Sequence, residues 1–156
     1  MLDPDVVLND IVSTLRSVPT LVSELGGDAT RIIPHYYLYG AENSLMRAIY
    51  SMRSPSILVA YSDLLGGNWD GMTLWKHRIE VDIRPGNANT GSHSYLHLCW
   101  LVANGLVSGT DQNIRQLSLV NGGLQLMETP SLLHKTDENL ADFFCWQFVF
   151  PEHGDQ

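Results

Sequence analysis

The chain has 156 residues, 44% of them hydrophobic and 17% charged, with 17 acidic against 9 basic side chains and a net charge of −8. That length fits one domain, and folding it buries roughly 70% of the extended chain's surface, enough for a core without staples. The acidic balance, with Lys76 and Lys135 the only lysines, excludes a protein that grips phosphates through a basic patch, and the apolar content excludes disorder.

The opening MLDPDVVLND has no basic region followed by a long apolar one, so no signal peptide is read there. No apolar run approaches the ~20 residues of a membrane helix, and a soluble protein made in a cytoplasm is expected. Residues 3–17 predict a helix. Asp3 is placed to cap it, Pro4 to take the first helical position and Asp5 to meet the positive end of the dipole. Val7, Ile11 and Leu15, widened by Leu8 and Val12, form one apolar stripe. A short second helix is expected from Ser17–Val18–Pro19 to Gly26–Gly27, where glycine allows a left-handed C-terminal residue. Arg31–Ile32–Ile33 reads as a short strand ended by Pro34. The stretch from His35 to Ser54, carrying Tyr36, Tyr37, Tyr39 and Tyr50, predicts a long aromatic loop with one helical segment near 44–52.

Ser56–Tyr61 (SILVAY) is a nearly continuous apolar run, as expected of a central strand. His77–Arg84 alternates, with Ile79, Val81 and Ile83 on one side and Arg78, Glu80, Asp82 and Arg84 on the other. Such alternation predicts an antiparallel strand with one buried face and one wet or subunit-facing face. Between them, LLGGNWDGMTL reads as a β-hairpin whose tip runs from Gly66 to Gly71 and includes Trp69 and Asp70. Residues 85–91 (PGNANTG) break the chain. Thr90 or Ser92 then caps a third helix to about Gly105, with Leu98, Val102 and Leu106 on its apolar side. A strand at Ile114–Val120, a tight Asn121–Gly122–Gly123 turn and a partner strand at Leu124–Glu128 follow. Thr129–Glu138 reads as a polar connection.

The last strand, Asp142–Phe150, is apolar on both faces (Phe144, Trp146, Phe148 and Phe150 against Phe143, Cys145 and Val149), so it is expected inside the sheet. Residues 151–156 read as a frayed tail. The fold class is α+β: a mostly antiparallel sheet of about five to six strands packed against two main helices, in a single domain over residues 1–150.

Chemistry is harder to find. His93 and His97 share a helix face, as a zinc site could use, but no Glu follows His93 and a third ligand is missing. They read as partly exposed helix histidines. Cys99 and Cys145 lie in apolar strings without a basic activator or a CxxC spacing, which points to buried thiols and not to a nucleophile, a metal pair or a disulfide. No GxSxG elbow, GxGxxG turn or phosphate-binding loop occurs. The aromatic strand DFFCWQFVF carries no Arg or Lys with which to bind bases. No catalytic residue, metal or cofactor is assigned, and the chain is expected not to be an enzyme.

The element order resembles the tail-completion, or tail-terminator, proteins of the neck of long-tailed phages. The features that carry the resemblance are the opening helix with its short successor and Gly26–Gly27, and the strand near Arg31–Ile33. SILVAY, a hairpin and an alternating strand before a long helix extend it. The close is NGG–LQLME, then DENLADFFCWQFVF. The likeness spans about residues 4–150 and departs from that pattern in an extended 36–53 segment. It implies a structural virion protein: a hexameric ring that caps the tail tube and joins it to the head–tail connector while DNA slides through without specific binding. The implied partners are other copies of the chain, the tail-tube protein and the connector protein, with no membrane. Tyr36, Tyr37, Tyr39, Trp69, Asp70, Arg78, Glu80 and Asp82 are the candidate interface residues. A head-completion or connector-adaptor protein shares this size and make-up, and a small ligand-binding module or an enzyme with a dispersed site is the reading from a different class.

Overall fold

A computed structural model of the chain describes residues 3–35, 55–69, 72–84, 95–106, 131–136 and 142–153. Helix α1 spans Pro4–Arg16, and the Asp3 side chain accepts from the Asp5 amide at 2.9 Å, as its sequence predicts. Val7, Leu8, Ile11, Val12 and Leu15 are all buried. At about 1.5–3 kcal/mol per buried apolar side chain, that stripe outweighs any helix propensity in holding α1 in place. Helix α2 spans Pro19–Glu24. It ends as the two glycines foretell: the Gly27 amide donates to the Val22 carbonyl at 2.9 Å and the Gly26 amide to Ser23 at 3.1 Å. Both glycines have positive φ, 77° and 78°. A 3-10 turn at Ala29–Arg31 leads into strand β1, Ile32–His35.

Pro34 does not end that strand; it pairs with Val59 inside it. Proline lacks a ladder donor and is tolerated on edge strands, and β1 is at an edge of the sheet formed by the described residues. Strand β2 spans Ser56–Trp69 and β3 spans Met72–Arg84. The hairpin tip is therefore far smaller than the glycines suggested, with Gly66, Gly67, Asn68 and Trp69 inside β2. The Trp75 ring lies over Gly66 from the opposite strand, so close that a Cβ there would sit 2.5 Å from it. An aromatic covering a cross-strand glycine in this way supplies the packing that glycine lacks.

Helix α3 spans Tyr95–Leu106, with Leu98, Val102 and Leu106 buried. Residues 129–138 are not only a connection: Ser131–Thr136 form strand β4. Strand β5 runs Asp142–His153, so Pro151, Glu152 and His153 belong to the sheet, paired with Lys76, Trp75 and Leu74, and are not a tail.

The described strands form one sheet in the order β1-β2-β3-β5-β4. β1 runs parallel to β2, and every other pairing is antiparallel. The fold is α+β with a mixed sheet, β5 inside it as its two apolar faces predict. One core lies between the helices and one sheet face, built from the α1 stripe, Leu21, Leu25, Ile57, Val59, Ile79, Val81, Ile83, Val102 and Phe148. Arg16 fastens the layers, its guanidinium donating to the Ile32 carbonyl at 3.1 and 2.7 Å. The expected strands at Ile114–Val120 and Leu124–Glu128 lie outside the described residues.

Candidate interaction surface

Of the residues singled out in the sequence, Tyr36, Tyr37, Tyr39 and Asp70 lie outside the described residues. Trp69 ends β2 and pairs with Met72. Arg78, Glu80 and Asp82 are brought together on β3, alternating with Ile79, Val81 and Ile83, which enter the core. The strand period of two fixes this, and it puts the three polar residues on the sheet face turned away from the helices.

Their environments differ. Arg78 Nη1 lies 2.9 Å from Asp63 Oδ2 on the facing strand, with side chains 40% and 36% exposed, so this pair borders solvent. Glu80 is half-buried, and Gln147 Nε2 donates to its Oε1 at 3.4 Å. Asp82 departs from expectation. The strand's alternation predicts a wet or subunit-facing side for it, yet it is only 4% exposed. Its neighbours in register, Leu58 on β2 and Cys145 on β5, are buried as well, which makes this end of the face an interior.

Glu80, Asp82 and Cys145 each hold one ligand atom within 4.8 Å of the others. Two hard carboxylates and one soft thiol make a mixed donor set of the kind only a borderline cation such as zinc accepts, and three such groups lying close together are not by themselves a site. The Cys145 thiol points toward the Trp146 carbonyl, at 3.7 Å. Cys99 packs in the core, where burial pushes its thiol up to about 11, far from a nucleophile's range. Neither cysteine is in a disulfide; one lies in the helix-facing core and the other on the opposite face of the sheet.

His97 stacks on Trp100 of the same helix, with ring centroids 5.7 Å apart. His93 lies outside the described residues. Three features escaped the sequence reading. Asp63 as the partner of Arg78 depends on the β2–β3 register, which no local pattern fixes. Tyr61 Oη lies 2.6 Å from Nδ1 of the fully buried His77, just beyond the register shift between Tyr61 and Asp63. Leu96 and Trp100, 60% and 56% exposed, form an apolar pair on α3. That last one was legible, because both fall off the Leu98–Val102–Leu106 stripe at helical spacing.

No protein-family model matches the sequence, and a search of curated proteins finds no match. Among solved structures, the chain is similar to a chain in the virion of a native gene transfer agent particle, with 16% sequence identity, 92% of each chain covered and a TM-score of 0.52. At that identity the likeness is one of fold.

Proposed function

We propose that this chain is a structural virion subunit of the tail-terminator kind, forming a ring that caps the tail tube and joins it to the head–tail connector. The observation that carries this reading is the fold shared with a gene transfer agent virion chain across 92% of both chains. The resemblance in element order to tail-completion proteins supports it independently of that likeness. So does the charge: a subunit of net charge −8, repeated around a channel, repels phosphates and lets DNA slide. The long β2–β3 hairpin and the exposed pair Leu96 and Trp100 are surfaces that ring neighbours or the tube would cover. The role is one of assembly and not of catalysis.

The test is assembly itself. The purified chain is examined by light scattering and negative-stain microscopy, alone and with tail-tube protein. Closed rings, six subunits in each, that bind the tube end are the expected result. A chain that stays monomeric in both conditions overturns the proposal. Rings that bind connector protein and ignore the tube assign the chain instead to head completion or connector adaptation.

A further inference from the structure

We draw no further inference here: the strongest candidate, the Glu80–Asp82–Cys145 side-chain cluster on the sheet face turned away from the helices, is two carboxylates and a single thiol with no second observation that points to a ligand.

Discussion

The indole N–H of Trp146 donates to the Cys99 carbonyl at 2.9 Å, so a side chain of the sheet is tied to the backbone of α3. The Trp146 ring also packs against the core and lies 5.8 Å from Phe148. Replacing Trp146 by Phe keeps most of that packing and removes the donor. The expected loss is about 1 kcal/mol, the usual net value of one hydrogen bond, read as a lower urea midpoint with unchanged slope. Equal stability in Trp146→Phe would show that the bond contributes nothing.

Gly66 and Gly67 are neighbours on β2 with opposite expectations. A Cβ at Gly66 would meet the Trp75 ring at 2.5 Å, whereas one at Gly67 meets nothing within 4 Å. Gly66→Ala must push the indole aside and should destabilise by about 1–3 kcal/mol, the range for overpacking. Gly67→Ala relieves the entropy of a strand glycine and should be neutral or stabilising by about 0.5–1 kcal/mol. Thermal unfolding of the two variants side by side decides the matter, and the reverse order would place Trp75 elsewhere.

Asp10 sits part-way along α1, and burial raises its carboxyl above the ordinary 3.8. The folded state then holds this proton more tightly than the unfolded chain. Between the ordinary value and the raised one, stability falls as pH rises; above both, the penalty of burying the charge is fully present. Asp10→Asn should therefore melt higher than the parent at pH 7, and the gap should close as pH drops below the ordinary carboxyl range. A gap independent of pH would assign the effect to something other than ionisation.

Arg78 and Asp63 separate stability from assembly. Their ion pair is partly exposed, so Arg78→Ala should lower subunit stability by less than about 1 kcal/mol, and less again in high salt. If the β3 polar face meets a neighbour in the proposed ring, the same change should weaken assembly at least about tenfold, a separation of about 1.4 kcal/mol. Sedimentation at graded concentrations measures the second quantity and chemical unfolding the first. Parallel small losses in both would remove Arg78 from the interface.

Helix α1 was legible because its signals are local: a cap, a proline and a stripe. The position of β5 was legible because an apolar residue on both faces has no stable home at a wet edge. The reach of the hairpin was not, since Gly66, Gly67 and Asn68 speak for a turn, and their pairing with Trp75, Leu74 and Thr73 is set across the ladder and not by local sequence. Strand β4 hid for another reason: of its two leucines, Leu132 packs on the core while Leu133 is 40% exposed, too short a pattern to stand out. Asp82 alternates with core residues like any solvent-facing acid, and its burial depends on Leu58 and Cys145, which are distant in sequence. As for the candidate site, its β3 members were placed on the correct side of their strand, and their partners were not foreseen.

The position of β5 between β3 and β4 carries a consequence for biosynthesis. It is the last of the described strands to be translated, yet it occupies an inner place in the sheet. Until it emerges, β3 presents an open backbone edge, and the helix-facing pocket for Phe148 stays unfilled. A ribosome-bound chain is therefore unable to complete its core early, and the exposed β3 edge is the part most at risk of pairing with another nascent chain. Synthesis that stops short of Asp142 would leave the β1-β2-β3 ladder with β4 stripped of its described partner, in place of one slightly smaller domain.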